Sequence, residues 1–301
     1  MPRTVTVGID GSAESRAAAE WAAREAEARD LPLKLVHVWE PVPEPIAQAP
    51  LLGAETHQHW TERLPREVTE GVRLRHPRLD VTSEQSTGEP AAVLVEAARH
   101  AELLVLGSRG LSGLAGYLVG SVGQAVIGHT ETPVVLVRAG EQAADEHVMD
   151  PSGIPSAASA FRPVVLGLDA DAPDDTVIAF AFDEAARRGT ALHVVHGWNL
   201  PPYYVYGVSA GLDPHDEVLR QKRAQLADVL RSWRGKYPNV DVVELSRCGS
   251  PAQHLVDAAE EASLVVVGRR VRRASLGTHI GPVTHAVLHH AAVPVAVVAH
   301  A

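Results

Sequence analysis

Chemistry is most concentrated around Gly107. The run Gly107-Ser108-Arg109-Gly110 is followed, nine residues after Gly110, by Gly120-Ser121 at the start of an expected helix. Glycines let a backbone come close to a phosphate, the free amides of a helix start attract negative charge, and a serine hydroxyl there can donate one more hydrogen bond. The same pattern also serves to turn a strand into a helix, so taken alone it does not choose between the two readings. Asp10 closes the apolar run 4–9, where a carboxylate is favourable against the dipole of a following helix. His37-Val38 close the apolar run 33–39. His37 and His196 hold equivalent strand ends and are expected to satisfy local hydrogen bonds rather than to do chemistry.

Several chemistries are disfavoured by what the chain lacks. Its three lysines, Lys34, Lys222 and Lys236, all lie outside the Gly107–Ser121 loop, which removes the phosphate-bridging lysine of a P-loop NTPase. Gly110-Leu111-Ser112-Gly113-Leu114 lacks the last glycine of a hydrolase nucleophile elbow, and no Asp and His partners stand out in the usual chain order. Of 16 histidines, His285 and His289 are four apart on an expected helix, yet no Asp, Glu or Cys close in sequence adds a further ligand, so surface histidines are expected. The one cysteine, Cys248, rules out an intrachain disulfide and fits a reducing compartment. Residues 1–8 hold too short an apolar run for a signal peptide, and no stretch reaches membrane-spanning length, so a cytoplasmic protein with no membrane partner is expected.

The elements that must position these residues follow from periodicity. Runs of Val and Leu near 4–9, 33–39, 103–107 and 133–138 read as buried parallel strands, and a more polar one near 79–85 reads as an edge strand. Ala17, Trp21 and Ala28 fall on one helical stripe across 13–29; 55–75 is a long charged helix, Pro90 opens another to about 100, and a last helix follows Gly120. Alternating strands and helices make a doubly wound α/β sheet, with ligands at the carboxyl ends of the strands where the winding reverses; with the expected order 3-2-1-4-5, Asp10 and His37-Val38 lie beside that switch point.

The chain is also duplicated. Val5-Thr6-Val7-Gly8-Ile9-Asp10 returns as Val164-Val165-Leu166-Gly167-Leu168-Asp169, and Gly88–Ala98 matches Gly249–Ala259 at seven of eleven positions. Leu103–Gly107 returns as Leu264–Gly268, and Pro133–Val137 as Pro294–Val298. Two copies of one domain, 1–140 and 161–301, are therefore expected on either side of a solvated linker, 141–160, rich in Ala, Ser, Pro, Asp and Glu. The three segments carry net charges of −5, −4 and −1, and neither copy has the basic excess of a nucleic-acid face. Aromatics are only 4%, so both cores must be aliphatic.

With Asp10, His37-Val38 and the Gly-x2-Gly-x9-Gly-Ser spacing in this order, the sequence resembles the universal stress protein family in its tandem, two-domain form. The resemblance implies a Rossmann-like five-stranded sheet in each copy and ATP, with Mg, as the ligand of copy one. It places Asp10 near the ribose and adenine, Val38 against the adenine through its backbone, and Gly107, Gly110, Gly120 and Ser121 around the phosphates. It further implies a regulatory protein read out through a protein partner, at most a slow ATP hydrolase, with homodimer or domain pairing through the strands after Pro133 and Pro294.

Copy two departs from this pattern. Val271 replaces the second glycine and Pro282 the serine after Gly281, which narrows backbone approach and removes a hydroxyl and an amide donor. Asp169-Ala170-Asp171 replaces Asp10-Gly11-Ser12, adding a charge at the expected pocket mouth. Arg269, Arg270, Arg272 and Arg273 read as a solvated charged loop, with an anion site held by arginine forks as the alternative. A nucleotide-processing enzyme would need a paired acid and base where only Asp10 is plainly placed. A pure interaction scaffold would leave the intact loop of copy one unexplained.

Overall fold

In the computed structural model the chain forms two compact units, one built on Met1–Gln142 and the other on Ala143–Arg272 with Gly281–Ala301. Residues 3–39, 54–110, 117–118, 120–200, 214–271 and 280–301 are described. The loop residues 111–116 and 119, and Arg272 and Arg273, lie outside them.

The first unit runs β1 (Thr4–Ile9), α1 (Ala13–Arg29), β2 (Leu33–Trp39), α2 (Ala54–Arg75), β3 (Val81–Thr87), α3 (Pro90–Ala98), β4 (Ala101–Gly110), β5 (Tyr117–Leu118), α4 (Ser121–His129) and β6 (Val134–Arg138). Its parallel strands lie in the order β3-β2-β1-β4-β6, which is the expected 3-2-1-4-5, and β5 pairs antiparallel with the end of β4. The polar strand is at the edge, with only Val81 of β3 buried. Winding reverses between β1 and β4. Because α1 packs on α2 and α3 on α4, each helix pair covers one face of the sheet. Strands sandwiched in this way must be apolar on both faces, and Leu103, Leu104 and Val105 in β4 are fully buried.

The second unit repeats this with β7 (Val164–Gly167), α5 (Asp175–Arg188), β8 (Leu192–Trp198), α6 (Pro214–Lys236), β9 (Val242–Cys248), α7 (Pro251–Ala259), β10 (Leu264–Arg270), α8 (Pro282–His290) and β11 (Val295–His300), its strands in the order β9-β8-β7-β10-β11. Both units also repeat a buried ion pair at helical i,i+4 spacing, Glu25 with Arg29 and Glu184 with Arg188. Arg29 also pairs with Glu102 and Glu184 also with Arg187, so each buried pair belongs to a small charge network.

Four local expectations change. Strand β4 extends beyond the expected 103–107 to Gly110, so Gly110 belongs to a strand and not to a loop; the ladder to β6 continues through Gly107–Val137 and Ser108–Arg138, and Arg109 and Gly110 pair with Leu118 and Tyr117. Ala28 is exposed, because the buried surface of α1 spreads over Ala18, Ala19, Trp21, Ala22, Ala23 and Ala26 instead of following one narrow stripe. Arg269 and Arg270 lie on β10, paired with Ala299 and His300, and Arg269 is buried, so this part of the arginine run is not a solvated loop. The stretch 141–160 is not wholly solvated either. It contains the short 3-10 helix Ala143–Glu146, with Glu146 and His147 buried, and Val148 N–H donates to Ala160 O at 2.9 Å. The division between units, Gln142 to Ala143, falls inside it.

Among the described residues no helix is long and apolar enough to cross a membrane. Trp21 is the largest side chain in the alanine-lined interface of α1, at 1% exposure. Trp21→Ala is expected to cost about 3–5 kcal/mol by opening a cavity that small neighbours cannot refill, measured as a lower urea midpoint for the first unit.

Candidate functional site

At the carboxyl ends of β1 and β4, where the winding reverses, the first unit holds a cavity of about 280 Å³. Its floor is Gly8 and Ile9 of β1 with Leu106 and Gly107 of β4, and its rim includes Asp10, Val38, Gly120 and Ser121. Five of the six expected residues thus line one space. Gly110, at the end of β4 opposite Tyr117, is not among its described lining.

The β1–α1 loop is self-organised. Asp10 Oδ1 accepts from Ser12 N–H at 3.0 Å and from Ser12 Oγ at 2.5 Å, while Ser12 Oγ accepts from Ser15 N–H at 3.1 Å and so caps α1. Gly11, at φ +85°, supplies the left-handed turn that this loop needs. Asp10 therefore has a structural duty, tethering the loop, as well as an exposed position at the cavity mouth.

Gly107 and Gly120 are glycines for different reasons. A Cβ on Gly107 would lie 2.6 Å from Glu14 C and 2.7 Å from Ser15 N, so the missing side chain lets α1 start against β4. Gly120 precedes α4 with φ −59° and ψ 156°, which any residue adopts, and a Cβ there would meet nothing within 4 Å. Among the described residues neither packing nor backbone strain requires glycine at 120. It keeps open space in front of a nine-residue helix that has no side-chain cap, whose first intrahelical bond is Gln124 N–H to Gly120 O. Among the described residues the preceding amides and the exposed Ser121 hydroxyl have no acceptor, which leaves them for an outside one.

Val38 lies one residue beyond the last β1–β2 pair, Ile9–His37, so on its β1 side its backbone is outside the ladder. His37 Nδ1 lies 2.9 Å from Ile9 O and His196 Nδ1 lies 3.1 Å from Leu168 O, the local bonds expected at both strand ends. Among the described residues the buried Nε2 atom of each has no hydrogen-bond partner. His285 and His289 face each other on α8, Nε2 to Nε2 at 3.2 Å, and no group of three metal-ligating side chains forms among the described residues.

The second unit fills the equivalent positions with its own atoms. Gly197 stands where Val38 stands in the first unit, and a Cβ there would lie 2.5 Å from Pro251 Cα, so α7 is seated against the strand end. Thr284, equivalent to Gly123 of the cavity wall, is buried and its hydroxyl donates to Gly268 O at 2.8 Å. Pro282 takes the first helical position after Gly281. Asp171 does not add a bare charge, contrary to expectation: Lys222 Nζ lies 2.5 Å from its Oδ1 and Gln225 Nε2 lies 2.9 Å away, and these two hydrogen bonds hold its carboxyl below the usual range. Neither Gly197 nor Thr284 stands out in the sequence until the two copies are aligned, and Glu14, Ser12 and Gly123 were missed in the same way.

A duplicated doubly wound α/β protein with a switch-point cavity in its first copy is the class that this fold and geometry define. The universal stress protein family model matches residues 1–138 and 160–299, and the chain belongs to that family. It is 36% identical to universal stress protein Rv2005c of Mycobacterium tuberculosis, covering 97% of this chain and 96% of that one, and 33% identical to a universal stress protein of Mycolicibacterium smegmatis, covering 98% and 96%. The fold is shared with the crystal structure of a universal stress protein from Archaeoglobus fulgidus, at TM-score 0.68 and 18% identity over 99% of this chain and 98% of that one.

The contact of Gly197 with α7 has a direct consequence. Gly197→Val must push α7 away from β8 and is expected to destabilise the chain by about 1–3 kcal/mol, seen as a lower melting temperature. Val38→Ala, at the equivalent position beside open space, should lower it by much less.

Proposed function

We propose that the first unit binds one adenine nucleotide, ATP with its magnesium ion, and that the protein acts as a cytoplasmic stress-response regulator whose bound state is read by a protein partner or a second copy of the chain. The observation that carries this reading is the open space kept by Gly120 before an uncapped helix, at a switch-point cavity that also gathers Asp10, Val38, Gly107 and Ser121. The free amides of α4 and the Ser121 hydroxyl would receive phosphate oxygens. The Val38 backbone would meet the adenine edge, and Asp10 would accept hydrogen bonds from ribose hydroxyls. Magnesium would enter on the phosphates and offset their charge. The filled positions at Gly197, Thr284 and Pro282 support a second unit that is silent toward nucleotide.

Calorimetry on the full chain is expected to give one ATP per chain. Gly120→Val places its branch in open space, so the fold by circular dichroism should be unchanged while affinity falls at least about tenfold, roughly the loss of one charge-assisted contact. Undiminished affinity, or two sites per chain, contradicts the assignment.

Asp10→Asn keeps an Oδ1 acceptor toward Ser12 but removes the charge. Adenosine affinity is expected to fall about three- to tenfold and inorganic triphosphate affinity to rise, since a carboxylate attracts hydroxyls and repels phosphate. Equal losses for both probes would confine Asp10 to tethering the loop.

A further inference from the structure

The charge on the cavity wall is opposite to what a polyphosphate needs. Its described lining includes two carboxylates, Asp10 and Glu14, and no lysine or arginine. Asp10 is engaged with Ser12, but Glu14 is half-buried and, among the described residues, has no hydrogen bond or ion pair. Its position is also specific. The Glu14 Cβ lies 2.8 Å from where a Cβ on Gly107 would sit, so Glu14 stands over β4, two strands from Val38 on β2, and lines the same cavity as Gly120 and Ser121. As the second residue of α1, Glu14 places its acidic side chain in the first turn, where negative charge is favourable against the helix dipole.

We infer that Glu14 is a charge filter, a specificity-determining residue that rejects nucleotides whose phosphate charge is not offset. This rests on the nucleotide reading above and adds a preference to it. One phosphate, carrying about two charges, can be met by the amides of α4 and the Ser121 hydroxyl. A triphosphate brings further charges toward a carboxylate in a partly desolvated cavity, where like charges repel more strongly than in water. The site therefore takes a nucleoside monophosphate directly, and a triphosphate only with a divalent cation on its phosphates. The second unit lacks the device: its first helix starts later, at Asp175, Pro173 stands where Glu14 would, and Gly268 faces His300 and Val177 instead.

Calorimetry of the full chain with AMP, with ATP in EDTA and with ATP plus magnesium tests this. Wild-type protein should bind ATP on the order of tenfold or more tightly with magnesium than in EDTA, and AMP equally in both. Glu14→Gln, which keeps shape and removes charge, should raise ATP affinity in EDTA about tenfold while changing AMP little; Glu14→Asp should keep the magnesium dependence. A folded Glu14→Gln protein whose ATP affinity in EDTA is unchanged, or whose AMP affinity rises as much as that for ATP, overturns the filter and leaves the nucleotide site standing. Wild-type protein that binds neither nucleotide in any condition overturns both.

Discussion

The cavity exists because α1 starts early and lies close. Its first turn sets the backbone of Glu14 and Ser15 against β4 at a distance that no side chain on Gly107 would allow. Asp10 with its tether to Ser12, the Ser12 cap and Glu14 then line the same cavity as the start of α4. In the second unit the corresponding helix begins at Asp175 behind an Asp174 cap, and Gly268 is crowded by His300 and Val177 instead. A shift of a few residues in one helix start changes which atoms stand around the strand ends.

The duplication works as an internal comparison. Features held in both copies belong to the shared scaffold: Gly8 and Gly167 each make room for a leucine from the neighbouring helix, Leu94 and Leu255, and the buried Glu25–Arg29 and Glu184–Arg188 pairs recur at the same place in the helix. Features that differ gather at the strand ends. Val38 against Gly197, Gly123 against Thr284, and Leu64 beside Gly11 against Gln225 beside Ala170 each replace open or apolar surroundings with a packed or hydrogen-bonded contact. The second unit keeps its aliphatic strands, with Val265, Val266, Ala296 and Val298 buried, so its core does not depend on the strand-end positions that differ.

An uncapped helix start is unusual in this chain. Ser12, Glu89, Asp174 and Ser250 each cap a helix with a side-chain oxygen, whereas Gly120 and Gly281 do not. Side-chain caps of this kind contribute about 1 kcal/mol each, so leaving α4 bare gives up stability in exchange for amides that face outward. At α8 the first of these amides is removed by Pro282, which leaves the same glycine with less to offer.

By itself the sequence determined the fold class, the strand order, the duplication and the family, because two-sided apolar runs, helical stripes and repeated blocks are local patterns set by which surfaces must leave water. It also pointed to Asp10, Val38, Gly107, Gly120 and Ser121 before any geometry was known. Tertiary structure decided the rest, since only a folded backbone shows which atoms a Cβ would meet. It separated Gly107, required by the approach of α1, from Gly120, required by no contact among the described residues. It turned Asp171 from an exposed charge into a partner of Lys222, fifty-one residues away in sequence, and placed Arg269 inside a strand. It brought Glu14, an ordinary helix-start acid when read along the chain, to the wall of the cavity. Long-range contacts of this kind depend on the close fit of one element against another, and no period or motif along the chain encodes that fit.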